Sequence, residues 1–265
     1  MDETRLESAL RDLGFEGALT LLSSIWPERV ESLRIRKADE KIPEMKMARP
    51  NYFIGLELDG GEKLHDEVDY ILGEILERHE GRIDRKAASS FAKLHITLGL
   101  LSIEEDASQD MQTKLKCIRD IIYRTAASTL NVHTSVLPLT LTGLNSFPGG
   151  SGKQKQRVVF MEPLGDTSTQ ILKLFAKSLI SEISEHVTCC KATCSDVLHL
   201  TILKTRHPQI IKSHLDDLFR EPSIVTTCKS IKVYKIGSTD SSSGAYLSYG
   251  GVHLHTDGGY ILVEK

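Results

Sequence analysis

The chain has 265 residues, 40% of them hydrophobic and 26% charged, with a formal net charge of −3, the composition of a globular protein with ample material for a core. So small a net charge argues against coating nucleic acid through bulk electrostatics and leaves room only for a local basic cleft. Five cysteines do not make a disulfide framework, and neither a bilayer-length apolar run nor a charged-then-apolar leader is seen, so a reducing compartment, cytoplasm or nucleus, and no membrane are expected.

Residues 1–48 differ in character from the rest. Leu6, Leu10 and Leu13 keep helical spacing, Leu19, Leu22 and Trp26 suggest a second short helix stopped by Pro27, and a mixed charged run carries on to Arg49. This reads as a helical arm and linker, open to a protein partner, ahead of a domain spanning 49–265. In that domain Asn51 to Leu58 reads as a strand closed by Asp59-Gly60-Gly61. Leu64, Val68, Ile71, Leu72, Ile75 and Leu76 follow the spacing of an amphipathic helix. Leu94 to Leu98 is a strand, and Met111, Leu115, Ile118 and Ile122 carry a second helix. Strands over Leu137–Phe147 and Arg157–Leu164 flank a polar hairpin tip. The plan then repeats: a helix on Leu172, Phe175, Leu179 and Ile183 capped by Asp166 or Thr167, a cysteine-containing connection, and a strand around Leu198 to Ile202. A helix near Gln209–Phe219 and strands over Ser230–Ile236, Tyr246–Leu254 and Tyr260–Val263 complete it. The expected class is α+β: two pseudo-symmetric antiparallel sheets with outer helices and a central cleft.

Two of these strands carry the same pattern, Leu94-His95-Ile96-Thr97-Leu98 and Leu198-His199-Leu200-Thr201-Ile202. Side chains at i and i+2 share a strand face, so His95 and Thr97 point one way while Ile96 and Leu98 point into the core, and His199 and Thr201 repeat the arrangement. Two imidazoles across a cleft form an acid–base pair, one neutral and accepting a proton, the other charged and donating one. Each role contributes about 10²–10⁴-fold in rate. The threonine hydroxyls are donors suited to non-bridging phosphate oxygens, and Lys204 adds a cation just past Thr201. In-line displacement at a phosphodiester fits this set and needs neither metal nor cofactor. Of Tyr52 and Phe53, both candidates to stack a base, only one can face the cleft, since neighbours on a strand point apart.

At these residues the chain resembles the two-histidine (2H, LigT-like) phosphoesterase superfamily, defined by two His-x-Thr/Ser motifs in a bilobal fold. Pro50-Asn51-Tyr52-Phe53, the run Lys93 to Gly99 and Lys204 resemble the branch that contains A-kinase anchoring protein 7 and activating signal cointegrator 1 complex subunit 1. The resemblance spans about residues 49–265. It implies a metal-independent phosphodiesterase acting on RNA ends, 2′,3′-cyclic phosphates or 2′–5′-linked nucleotides, with His95, Thr97, His199 and Thr201 as its catalytic set and a short RNA or nucleotide as its substrate; a monomer is expected. The chain departs from many relatives in having Leu198, not Pro, before the second histidine. The competing reading is a catalytically silent nucleotide- or RNA-binding module for regulation or anchoring.

Other patterns are weaker. His186, Cys189, Cys190 and Cys194 lack the paired C-x₂-C spacing of a zinc site. His253 and His255 share a face of a late strand, where a surface pair is the plainer reading. Gly149 to Lys153 lacks the spacing and the Ser or Thr of a P-loop.

Overall fold

The computed structural model describes residues 49–59, 61–79, 82–104, 110–130, 137–148, 155–206, 210–215, 218, 223–254 and 260–263. The arm at 1–48, the hairpin tip at 149–154 and His255 lie outside the described residues. Three helices form where the apolar spacing predicts them. Helix α1 (Gly61–Arg78) buries Leu64, Val68, Ile71, Leu72 and Ile75 on one face, and Glu62 in its first turn and Arg78 in its last oppose the helix dipole. Helix α2 (Met111–Thr129) starts at Asp110, whose carboxylate accepts the Thr113 N–H at 2.8 Å. Helix α3 (Thr167–His186) starts in the same way at Asp166, the first of the two caps expected, which accepts the Thr169 N–H at 2.9 Å.

The strands are β1 (Tyr52–Asp59), β2 (Ile96–Ile103), β3 (Pro138–Pro148), β4 (Lys155–Pro163), β5 (Cys190–Cys194), β6 (Leu200–Lys204), β7 (Ile210–Ile211), β8 (Ile224–Thr239), β9 (Tyr246–Leu254) and β10 (Tyr260–Val263). Every pairing is antiparallel. The α+β class is as expected, and the two expected sheets are halves of one ten-stranded ladder. One half is β5-β2-β1-β8-β9-β10; the other is built from β3, β4, β6 and β7. They meet at a single pair, Ile96↔Leu200, and again where β8 pairs β3 over Ile224–Thr227 before pairing β1. The ladder therefore closes on itself through β1-β2-β6-β4-β3-β8, which leaves one apolar interior shared by both halves.

Two expectations are corrected. The described residues of the segment 209–219 form no α-helix: Ile210 and Ile211 add a short strand beside β4, followed by a 3₁₀ turn over Lys212–His214. Two adjacent β-branched residues after Pro208 suit an extended edge better than a helical turn. The cysteine-containing connection is itself a strand, β5, whose side chains alternate half-buried and exposed along the edge of β2 from Gly99 to Ile103.

Candidate active site

Each motif histidine stands one residue before its strand, where the chain leaves a turn and enters the ladder. The alternation is as expected: Ile96, Leu98, Leu200 and Ile202 are fully buried, while His95, Thr97, His199 and Thr201 are half-buried on the other face. The antiparallel pair Ile96↔Leu200 sets the junction. Continuing that register one residue each way sets His95 beside Thr201 and Thr97 beside His199.

Both rings are anchored alike. His95 Nδ1 lies 2.7 Å from the Lys93 carbonyl and His199 Nδ1 lies 2.7 Å from the Val197 carbonyl, two residues back in each case. A carbonyl only accepts, so Nδ1 carries the hydrogen and Nε2 is the free, reactive nitrogen of each ring. At His95 the Thr97 hydroxyl lies 3.3 Å from Nε2 and donates to it. Burial holds the His95 imidazole below the ordinary histidine range; the Lys93 carbonyl opposes this, the like charge of His199 adds to it, and Glu57 opposes it weakly. The two rings thus lie within electrostatic reach of each other. Leu198, in the position many relatives give to proline, is buried in the core, and the His199 anchor matches that of His95 without it.

A β-bulge follows each threonine. Against β1, the partner of Ile54 is Gly99 and that of Gly55 is Thr97, so Leu98 is the extra residue. Against β4, the partners of Val159 and Phe160 are Leu203 and Thr201, so Ile202 is extra. The freed carbonyls are both used: Leu98 O accepts the N–H of Ser195, and Ile202 O accepts that of Ser89, at 3.0 and 2.9 Å. Ser89 leads into the first motif and Ser195 into the second. Each motif strand is therefore pinned by the segment that delivers the other histidine.

The walls are aromatic. Phe53 lies 4.7 Å from the His95 ring, Tyr246 meets it edge-on at 5.3 Å, and Tyr234 stacks on Phe53 at 5.1 Å. Phe147 and Phe160 flank His199 at 5.0 and 4.9 Å. Lys93 Nζ sits 5.4 Å over the Tyr246 ring and donates to Thr239 Oγ1 at 3.0 Å. Of the two aromatic candidates only Phe53 reaches the histidine. Tyr52 is corrected to the core side, where it packs edge-on against Tyr249 at 5.6 Å.

Alternation along β1 and β8 brings in a group that the motifs do not reveal. Phe53, Gly55 and Glu57 are opposite Tyr234, Lys232 and Ser230. The Glu57 carboxylate accepts hydrogen bonds from the Ser230 hydroxyl, from Lys232 Nζ at 2.8 Å and from the Tyr234 hydroxyl at 2.5 Å. Burial raises the Glu57 carboxyl, but the bonds from Lys232, Ser230 and Tyr234 outweigh it and hold the group below the ordinary carboxylate range. Burial and the Glu57 charge push the Tyr234 phenol far above its usual range, so it stays a donor. The signal was present in the sequence as residues two apart on each strand; what it lacked was the register that brings Glu57 to partners 173, 175 and 177 positions away.

Lys204 is exposed at the far end of β6 and lines a cavity with Arg82, Lys86 and Arg206 that neither motif histidine lines. His186 pairs with Glu182 at 3.4 Å, while Cys190 and Cys194 lie at opposite ends of β5, the former with its thiol pushed up to about 11 by burial. Among the described residues no three His, Cys, Asp or Glu side chains gather as metal ligands, and none of the five cysteines is in a disulfide. His253 is opposite Ser230 on β9. Among the described residues no helix is long and apolar enough to cross a membrane.

Paired His-x-Thr strands on an antiparallel α+β frame are the arrangement of the two-histidine phosphoesterase superfamily. Residues 50–254 match the model of the AKAP7 2′5′ RNA ligase-like domain, and the chain belongs to that family. No curated protein matches the sequence. Solved structures similar to it include LigT of E. coli complexed with ATP (14% identity, TM-score 0.40, covering 82% of this chain and 99% of that one). TT0787 of Thermus thermophilus (14%, 0.45, 81% and 95%) and Usb1 of Kluyveromyces marxianus (12%, 0.45, 76% and 98%) are others.

Proposed function

We propose that the chain is a metal-independent phosphodiesterase that cleaves RNA ends, 2′,3′-cyclic phosphates or 2′–5′ linkages by two-histidine acid–base catalysis. The observation that carries this reading is the shared anchoring of two imidazoles, each with Nδ1–H on a carbonyl and Nε2 left for chemistry, on the two sides of the Ile96↔Leu200 junction. Burial and the neighbouring ring both disfavour a proton on His95, which suits it to the role of general base, and the His199 ring on the opposite strand takes the role of general acid. His95 Nε2 takes the proton of the attacking water or neighbouring hydroxyl, the new O–P bond forms in line, and His199 Nε2 protonates the departing oxygen. The Thr97 hydroxyl turns from Nε2 to a non-bridging oxygen as charge builds there, and Thr201 does the same from the opposite strand. Membership of the 2′5′ RNA ligase-like family supports RNA as the substrate class, and cysteines outside any disulfide suit a cytoplasmic or nuclear setting.

A panel of cyclic-phosphate, 2′–5′ and 3′–5′ substrates, incubated in EDTA with product ends mapped, tests this. Cleavage is expected to persist in EDTA and to fall about 10²–10⁴-fold in folded His95→Ala and His199→Ala proteins. Binding without turnover across the whole panel would establish the silent-module reading instead.

A further inference from the structure

Beside β6 runs the segment 84–89, held by the Ala88–Leu203 bridge and by the Ser89 N–H on the Ile202 carbonyl. This docking gathers Arg82, Lys86, Lys204 and Arg206 around a surface cavity of about 500 Å³, completed by Asp84, Ala87 and Thr205. Four cations share that wall with one carboxylate. Asp84 is already engaged, accepting the Lys86 N–H at 2.9 Å as the cap of the short turn Arg85–Ala87. The side chains of Lys86, Lys204 and Arg206 are exposed and form no ion pair among the described residues. Like charges crowded in this way, on a chain whose net charge is −3, repel one another unless an anion lies between them.

The bulge at Ile202 determines which way the strand presents this cluster. Simple alternation would set Lys204 opposite to His199 and Thr201. With Ile202 and Leu203 both fully buried, the extra residue restores Lys204 to the face of the two catalytic candidates. From His199 to Lys204 the strand advances ~16 Å at ~3.3 Å per residue. A stacked single strand covers that span in about five nucleotides at ~3.4 Å each, and a stretched one in fewer.

We propose that this cavity is a phosphate-backbone subsite, holding the sugar-phosphate chain of a single-stranded RNA whose reacting end lies between His95 and His199. The inference rests on the phosphodiesterase reading and narrows it: the substrate is an oligonucleotide, since a dinucleotide or cyclic mononucleotide is too short to reach Lys86 and Arg206.

The test is a binding titration of the full chain carrying His199→Ala, so that nothing is turned over, with a ten-nucleotide single-stranded RNA and with a dinucleotide of the same 3′ end. Lys86→Ala/Arg206→Ala is expected to weaken the ten-mer roughly tenfold at low salt and to flatten its log K against log salt slope by about 1.4, two phosphate contacts at ~0.7 each. Dinucleotide affinity is expected to stay the same. Equal losses for both ligands, no loss for either, or a parent protein that does not hold the ten-mer would each overturn the subsite. Because the readout is binding, it separates from the catalytic reading: a chain that cleaves dinucleotides but binds the ten-mer regardless of Lys86 and Arg206 is an enzyme without this subsite.

Discussion

Burial sets the protonation of His95, and the charges around it adjust the result. The enclosed ring and the His199 charge both hold its pKa below the ordinary 6.5, while the Lys93 carbonyl and Glu57 pull it up. A general base works only when unprotonated, so its rate is lost as pH falls through its pKa. The acid limb of kcat/KM is therefore expected below pH 6.5. Removing the Glu57 charge removes one pull upward, so Glu57→Gln is expected to move that limb to still lower pH; a limb that stays put or moves up would show that Glu57 has no hold on the base. The same carboxylate carries a separate stability signature. Its pKa lies below 4.5 in the folded chain, so it stabilises the fold above that pH, and the contribution is lost as pH falls through the depressed value. Chemical denaturation of Glu57→Gln between about pH 5 and 3 is expected to show a flatter decline than the parent. At this scale the sequence was legible where chemistry repeats within a few residues, as in His95, Thr97, His199 and Thr201. It was silent on Glu57, Ser230, Lys232 and Tyr234, because their meeting depends on a register between β1 and β8 that no local pattern encodes.

At the scale of elements, helices α1, α2 and α3 were readable from apolar spacing, and α3 also from its cap, since both signals are local. Strand faces were readable until the first bulge. Neither Leu98 nor Ile202 differs in type from an ordinary core residue, yet each shifts every later side chain on its strand, and Lys204 is on its observed face only because of one of them. Tyr52 and Phe53 show the opposite case, where plain alternation separates a core ring from a site ring. Close backbone approach is a further hidden demand. At Gly251, opposite Lys232 on β9, an added Cβ would run into the Ile231 carbonyl and come within 2.7 Å of Lys232 Cα, backbone atoms that cannot step aside. Gly251→Ala is expected to destabilise the fold by about 1–3 kcal/mol, read from the denaturation midpoint. A parent-like midpoint would mean that β8 and β9 can separate there without penalty.

For the whole molecule, the closed ladder and the crossed pins matter most. Ser89 holds the strand of the second motif and Ser195 that of the first, so neither histidine can be displaced without loosening the strand that carries its counterpart. Two groups held in this way act as one unit, and removing either should disable both. The most direct measurement is single-turnover cleavage, in EDTA, by the parent, His95→Ala, His199→Ala and the double variant, each confirmed to be folded. Each single variant is expected to lose about 10²–10⁴-fold, with the double variant no slower than the worse of the two. Losses that multiply in the double variant, or single variants that keep parental rates, would contradict a shared phosphorus between the two rings.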